Sequence, residues 1–203
     1  ERSKEFYYED GIVEFVRQMG ENKELAHENP IVLRGKRMVE IDDDGKTIED
    51  ECYADVVLQY TGDYHENILC FANSIPNGDG GAHLSGFRGA LTRAINNYAK
   101  ANKLLKDKDP ALSGEDAREG IMAVISVKHP NPRFSSQTKE KLVNNEVEGV
   151  VGSIVYEGMT AFFEENPAVA KKLVEKVLNA ARAREAARKA RETVRKSAMT
   201  GGG

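Results

Sequence analysis

Residues 121–127 form an apolar run that constrains the fold of this chain more than any other stretch. A short apolar run rich in β-branched residues is typical of a buried strand. Pro130 and Pro132 stiffen the loop that follows, and a helix-like pattern continues from about Lys139. The sequence therefore predicts a strand, a rigid loop and then a long helix that begins near Lys139.

The loop before that helix contains residues 134–142, which read Phe-Ser-Ser-Gln-Thr-Lys-Glu-Lys-Leu. The first N–H groups of a helix lack internal partners, and the helix dipole adds positive potential, so a helix start can hold a phosphate. Lys139 would add a mobile full charge, while Gln137 and Thr138 would add neutral hydrogen-bonding groups. Ser-Ser-Gln-Thr is also a good helix N-cap sequence, so these residues alone leave a capping role open.

The first 75 residues predict mostly β structure. Residues 31–41 and 51–61 flank Asp42, Asp43, Asp44 and Gly45, which form an Asp-Gly turn of the hairpin kind. The three aspartates lie in a solvated turn and do not converge on one ion, so a metal site is disfavoured. Residues 11–20 precede these strands and predict a short amphipathic helix.

The two cysteines lie on strand-like runs at residues 52–60 and 67–75. If a turn at Thr61 and Gly62 joined these runs as a hairpin, Cys52 and Cys70 would lie roughly opposite each other. A disulfide is then conceivable, but two cysteines in a chain with no secretion signal are more often reduced core residues. The reduced state is the favoured expectation.

Four helical segments follow the β region. Residues 82–105 have apolar side chains at helical spacing, and Ser113 with Asp116 predicts a capping box. The helix expected from Lys139 would bury Leu142 and the apolar positions after it. Asn166 and Pro167 then predict the start of a final helix that runs to about residue 197.

The second half of that final helix is basic. Seven basic and two acidic residues lie between residues 180 and 196. One interpretation is a solvated helix held by alanine propensity and Glu–Arg pairs. The other is a projecting helix whose arginines face the DNA backbone, because basic surfaces bind phosphates without reading sequence. The sequence alone leaves both interpretations open.

The overall composition limits the kinds of partner. The 203 residues include 29 basic and 33 acidic side chains, for a net charge of −4. The chain as a whole therefore has no electrostatic attraction to DNA, and any such contact must come from local patches. No signal peptide or membrane-spanning run is evident, and the scattered histidines have no zinc spacing. We expect a cytoplasmic protein with no metal site of its own.

Motifs for an independent active site are also missing from the sequence. Residues 78–83 fail the dinucleotide fingerprint because His83 stands at its third glycine, and no GxxxxGK[ST] loop, HExxH or Ser-His-Asp signature occurs. His83, which follows two glycines and an alanine, is expected to be a turn or packing residue. The residues themselves predict an α+β domain without its own active site.

Three separated motifs nevertheless resemble those of one family. Residues 80–96 look like a glycine turn that enters a helix, residues 114–120 read Gly-Glu-Asp-Ala-Arg-Glu-Gly, and residues 137–139 read Gln-Thr-Lys. In this order, and with the arginine-rich tail at residues 180–192, they closely resemble the B subunits of bacterial DNA gyrase. The match is to their second, "transducer" domain. Asp79 and Ala82 depart from the glutamate and threonine expected there.

The resemblance implies a fold and a domain division. The fold would be α+β, with a mixed, mostly antiparallel sheet covered by helices on one face and a left-handed βαβ crossover. Residues 1–166 would form the transducer domain, and residues 167–203 a basic C-terminal helix and the start of a linker to the metal-binding TOPRIM domain. Residues 201–203 look like part of that linker.

The resemblance also implies a function within an ATP-dependent type II topoisomerase. Lys139 would contact the ATP γ-phosphate as the catalytic lysine, in a nucleotide-binding loop with Gln137 and Thr138. ATP and Mg²⁺ would be held mostly by an N-terminal ATPase domain outside this chain, so the chain alone is expected to be inactive. Expected partners are that domain, the TOPRIM domain, the A subunit of gyrase, DNA and a second copy of the protein. The candidates for facing DNA are Arg88, Arg93, Arg184, Arg188, Arg191 and Arg195.

Two alternatives remain at this point. The B subunit of topoisomerase IV shares this domain, and nothing in the chain excludes it. A stand-alone RNA- or ribosome-associated domain could share the β-α-β core, but it should expose a basic or aromatic sheet face. The acidic balance and only seven Phe and seven Tyr argue against that alternative.

Overall fold

A computed structural model describes residues 11–200 of the chain. The helices and strands alternate irregularly, as expected of an α+β domain. In chain order they are α1 (Gly11–Met19), β1 (Ile31–Asp43), β2 (Lys46–Tyr60), β3 (Asn67–Ala72), β4 (Ile75–Pro76), α2 (Ala82–Ala101), α3 (Gly114–Arg118), β5 (Ile121–Lys128), α4 (Asn145–Glu165) and α5 (Pro167–Thr200).

The five strands form one mixed sheet in the order β1-β2-β5-β3-β4. The predicted apolar strand β5 lies at its centre, antiparallel to β2 and parallel to β3. All but one of the residues in the first seven positions of β5 are buried, which suits a strand with neighbours on both edges. The chain reaches β5 from β3 through α2 and α3, and this crossover makes the pair parallel.

The runs at residues 52–60 and 67–75 do not pair with each other as a hairpin. Strand β5 lies between β2 and β3, so Cys52 and Cys70 do not face each other across one strand pair. Both thiols are free and buried. Burial raises the pKa of Cys52 to about 11 and that of Cys70 to about 12, so both are protonated at neutral pH.

The predicted hairpin of β1 and β2 is confirmed. Asp43 pairs with Lys46, which leaves Asp44 and Gly45 as a two-residue loop. Both loop residues have positive φ, 52° and 80°, as a type I′ turn requires. Asp42 accepts a hydrogen bond from the Gly45 N–H at 2.7 Å, so this aspartate closes the turn.

One face of the sheet carries the main core, and a short helix covers part of the other. Helices α2 and α4 pack against each other, and α4 also packs along β1 and β2. On the opposite face, Val16 of α1 packs against Val57 and Val124. The α+β class and mixed sheet are confirmed, and α1 adds a partial layer on the second face.

Helix α4 begins at Asn145, so the expected helix start at Lys139 is wrong. Leu142 is buried as expected, but it lies in the loop before the helix. Asn166 ends α4 rather than capping α5 with its side chain, because its amide donates to the Phe162 carbonyl at 3.0 Å. Its own carbonyl accepts from the Ala170 N–H at 2.9 Å and so continues directly into α5.

Helix α5 has 34 residues, which corresponds to roughly 51 Å at 1.5 Å per residue. Its first half is anchored in the core by Leu173, Val174 and Val177. From Ala186 to Thr200 every residue is exposed, so this half projects from the domain. Within residues 11–200, none of the helices has the length and apolar character needed to cross a bilayer.

Candidate functional site

Lys139 lies near the turn of a narrow arm, defined here as residues 129–144, between β5 and α4. The Lys139 N–H donates to the Ser136 carbonyl at 3.1 Å, which makes residues 136–139 a turn. Phe134 and Leu142 form an antiparallel bridge, so the arm folds back on itself. Ser and Thr serve turns and helix caps alike, which is why this pattern predicts a helix start although the structure forms a turn.

The arm docks on the glycine turn that precedes α2. The Leu142 N–H donates to the Gly80 carbonyl, and the Ala82 N–H donates to the Leu142 carbonyl, both at 3.0 Å. A Cβ on Gly81 would lie 2.1 Å from the Leu142 carbonyl oxygen, and Gly81 has a φ of 129°. The glycine turn before α2 was predicted correctly, and it serves here to let the arm approach the backbone closely.

Two buried side chains connect this turn to the end of the arm. Asn77 is 3% exposed, and its Nδ2 donates to the Lys139 carbonyl at 2.7 Å. His83 is fully buried, and its Nε2 lies 3.0 Å from Asn77 Oδ1. Burial lowers the pKa of His83 to about 4, so its ring is neutral at pH 7. Sequence reasoning assigned His83 to packing and missed Asn77, because no short motif marks a contact between residues 62 positions apart.

The base of the arm is held by a second polar cluster. Asn144, 1% exposed, accepts from the Arg133 N–H at 2.6 Å and donates to the Asn131 carbonyl at 3.1 Å. His129 lies beside it, with Nε2 3.1 Å from a carboxylate oxygen of Glu146. Burial lowers the pKa of His129 despite that carboxylate. The arm is therefore fixed at both of its ends.

The end of the arm is open to solvent and carries the predicted phosphate-binding residues. Gln137, Thr138 and Lys139 are exposed, and Thr138 shares a 2.6 Å hydrogen bond with the Ser136 hydroxyl. The Lys139 ammonium lies 5.9 Å from the centre of the Phe134 ring. A cation and neutral hydrogen-bonding groups on an exposed loop whose base is held can bind an anion.

The structure separates the six arginine candidates into two groups. Four have partners on this chain, so their guanidinium groups are less available to bind DNA phosphates. Arg88 binds Glu66 at 2.5 Å, Arg93 lies 4.3 Å from the centre of the Tyr156 ring, and Arg184 binds Asp116 at 3.1 Å. Arg188 binds Glu185 and Glu192 within its own helix.

Arg191 and Arg195 form the second group. Both lie on the projecting half of α5 and are exposed. The Arg191 guanidinium contacts only a backbone oxygen of its own helix in the described chain, the Ala187 carbonyl at 3.3 Å. These two arginines therefore keep their charge available to a partner outside the domain.

Arg184 instead connects α5 to α3. Its guanidinium contacts both carboxylate oxygens of Asp116, and Asp116 forms the predicted capping box with Ser113. Burial alone would raise the pKa of the Asp116 carboxyl, but hydrogen bonds from Arg184 and Ser113 outweigh it and lower the pKa. The capping box is confirmed, and Arg184 has a structural partner.

The fold is shared with solved ATPase regions of bacterial DNA topoisomerases. The 43K ATPase domain of Thermus thermophilus gyrase B, solved with an aminocoumarin, is 42% identical with a TM-score of 0.78, over 91% of this chain and 46% of that chain. The topoisomerase IV ATP-binding domain of Francisella tularensis is 25% identical with a TM-score of 0.67, over 87% of this chain and 44% of that chain.

The family is given by the sequence comparisons. A family model described as DNA gyrase B matches residues 11–193. The DNA gyrase B subunit of Streptococcus pneumoniae serotype 4 is 47% identical over 196 residues, which is 97% of this chain and 28% of that protein. The chain belongs to the DNA gyrase B family, and it spans less than a third of the length of this relative.

Proposed function

We propose that this chain is the transducer domain of a gyrase B subunit, with residues 1–166 as the domain and residues 167–203 as its basic C-terminal helix and linker. It would couple ATP binding and hydrolysis in a neighbouring ATPase domain to DNA strand passage. The observation that carries the proposal is Lys139, an exposed lysine on an arm that is fastened at both ends. Such an arm can carry one charge into the active site of an adjoining domain.

Phosphoryl transfer depends mostly on positioning and on stabilising the charge of the γ-phosphoryl oxygens. ATP with Mg²⁺, held mainly by the neighbouring domain, would supply the phosphoryl group. The Lys139 ammonium would stabilise its developing negative charge, and the Gln137 amide beside it would orient one oxygen. This chain contributes a cation on a loop whose backbone is held, which suits a domain without further catalytic motifs.

The same contact would make the arm a sensor of the nucleotide state. Lys139 gains its phosphate partner only while the γ-phosphate is present, so ATP and ADP would favour different orientations of the two domains. Helix α5, anchored in the core by its first half, would carry that rotation toward the TOPRIM domain, the A subunit of gyrase and DNA. A homodimer would place two such helices around the transported duplex.

Two observations favour gyrase B over the alternatives. A family model described as DNA gyrase B covers residues 11–193, and the DNA gyrase B subunit of Streptococcus pneumoniae serotype 4 is 47% identical over 97% of this chain. A stand-alone RNA-binding sheet would need an open basic face, but on the face opposite the main core α1 covers Val57 and Val124, and the basic Arg34 and Lys36 are paired with Asp55 and Glu51.

The test is ATP hydrolysis by a longer protein in which this chain follows its own upstream ATPase domain. Lys139→Ala should lower kcat by about 10²-fold, the scale of losing one transition-state donor. Lys141→Ala is the matched control, because Lys141 is an exposed lysine on the same arm and should leave the rate unchanged. An unchanged rate for Lys139→Ala would refute the phosphate contact.

A further inference from the structure

We propose that Asn77 and His83 are positioning residues for Lys139, fixing its backbone so that its side chain points toward the γ-phosphate. The inference rests on the proposed function for its catalytic consequence, but its structural part concerns this chain alone. Neither residue reaches the exposed end of the arm, since both are buried. The side-chain hydrogen bond that joins this pair to the arm ends on the Lys139 carbonyl, so we infer that their influence passes through it.

The hydrogen bonds between the three residues allow one arrangement. The Lys139 carbonyl can only accept, so the Asn77 amide must direct Nδ2 toward it and leave Oδ1 for His83. A neutral imidazole has one N–H, which must then lie on Nε2 to donate to Asn77 Oδ1. Turning the Asn77 amide would place two acceptors 2.7 Å apart. The donors therefore run in one direction, from His83 through Asn77 to Lys139.

Lys139 needs such a restraint because its backbone is unfavourable for a lysine. Its φ is 57°, in the left-handed region that disfavours a residue with a Cβ. The Asp79 N–H donates to the Glu140 carbonyl at 2.9 Å and the Leu142 N–H donates to the Gly80 carbonyl at 3.0 Å, which fixes the arm residues after Lys139. The Asn77 bond holds the Lys139 peptide itself to the buried core.

Three variants of the 203-residue chain test the structural part. Asn77→Asp replaces the Nδ2 donor with an oxygen that repels the Lys139 carbonyl, and His83→Phe removes the Nε2 donor but keeps a buried ring. His83→Gln keeps a donor near the position of Nε2 and should restore the bond. Amide hydrogen exchange at Asp79 and Leu142, together with trypsin cleavage after Lys139, reports whether the arm is held.

In Asn77→Asp and His83→Phe, exchange at Asp79 and cleavage after Lys139 should rise at least tenfold. Exchange at Val124 in the central strand should not change, and His83→Gln should behave like the parent chain. If His83→Phe disturbs the core, Asn77→Asp still reports whether the hydrogen bond to Lys139 holds the arm. Unchanged exchange and cleavage in Asn77→Asp would overturn the inference.

The catalytic part is tested in the longer protein with its ATPase domain. Asn77→Asp should lower kcat at least tenfold while the KM for ATP stays within about twofold. If Asn77 acts only through Lys139, the double variant Asn77→Asp/Lys139→Ala should be no slower than Lys139→Ala alone. Independent, multiplying losses would overturn the positioning role. If Lys139→Ala hydrolysed ATP at the normal rate while Asn77→Asp still loosened the arm, the proposed phosphate contact would be refuted and the structural inference would stand.

Discussion

His27, His83 and His129 are at most 8% exposed, and burial is the main cause that lowers the pKa of each. The unfolded chain therefore binds more protons than the folded chain as the pH falls below about 6.5. These histidines stabilise the fold fully at neutral pH and progressively less toward pH 4. The pKa values of the Asp116 and Glu146 carboxyl groups are also lowered. These groups therefore reduce the free energy of unfolding only in more acidic solution, where they become protonated.

For His83, the shift to about pKa 4 corresponds to a loss of roughly 2 kcal/mol in the free energy of unfolding between pH 7 and pH 4.5. Urea unfolding at both pH values should show that His83→Gln loses correspondingly less on acidification. His65→Gln replaces an exposed histidine and is the matched control. If His83→Gln and the parent chain showed the same pH slope, His83 would not be the titrating group.

At the scale of elements, the docking of the arm depends on Gly81. Gly81→Ala would place a methyl group 2.1 Å from the Leu142 carbonyl and force an alanine to a φ of 129°. We expect a loss of more than about 3 kcal/mol in the free energy of unfolding, from strain and the lost backbone pairing. Gly78→Ala, which meets no atom within 4 Å, should change it by less than about 0.5 kcal/mol. Equal urea midpoints for the two variants would contradict this account of the glycine turn.

The junction of α5 with α3 provides a second comparison. Arg184→Ala would leave the Asp116 carboxylate, 4% exposed in its side chain, without its cationic partner. The expected loss is about 1–3 kcal/mol, the cost of an under-satisfied buried group. Arg188→Ala breaks only exposed pairs with Glu185 and Glu192 and should cost less than about 1 kcal/mol. Chemical denaturation of both variants separates a structural arginine from a surface one.

Local patterns in the sequence were sufficient for most of these elements. The β1–β2 hairpin, helix α2 and the Ser113–Asp116 capping box were predicted because a turn, a spacing or a cap specifies each within a few residues. The insertion of β5 between β2 and β3 was missed, because pairing between distant strands leaves no local signal. For the same reason the Asn77–Lys139 contact could not be predicted, and only the residue types in the Gln-Thr-Lys loop could.

At the scale of the whole molecule, charge is distributed unevenly. The chain carries a net charge of −4, yet the projecting half of α5 is rich in arginine and lysine. The arginines near the core bind carboxylates or a tyrosine ring, whereas Arg191 and Arg195 lie on the exposed half. Any attraction to DNA should therefore arise at the end of this helix.

The final prediction concerns DNA binding by the 203-residue chain, measured by fluorescence anisotropy with a labelled duplex at several salt concentrations. If Arg191 and Arg195 each neutralise one phosphate, the double variant Arg191→Ala/Arg195→Ala should reduce the slope of log K against log salt by about 1.8 in magnitude. Arg88→Ala should change the slope less, because that guanidinium is bound to Glu66, a carboxylate that it shares with Arg118 in the folded chain. A larger change for Arg88→Ala than for the double variant would place the DNA-facing surface on α2 instead of the projecting helix. The salt slope decides between them because it counts phosphate contacts, whereas affinity alone also responds to changes in folding.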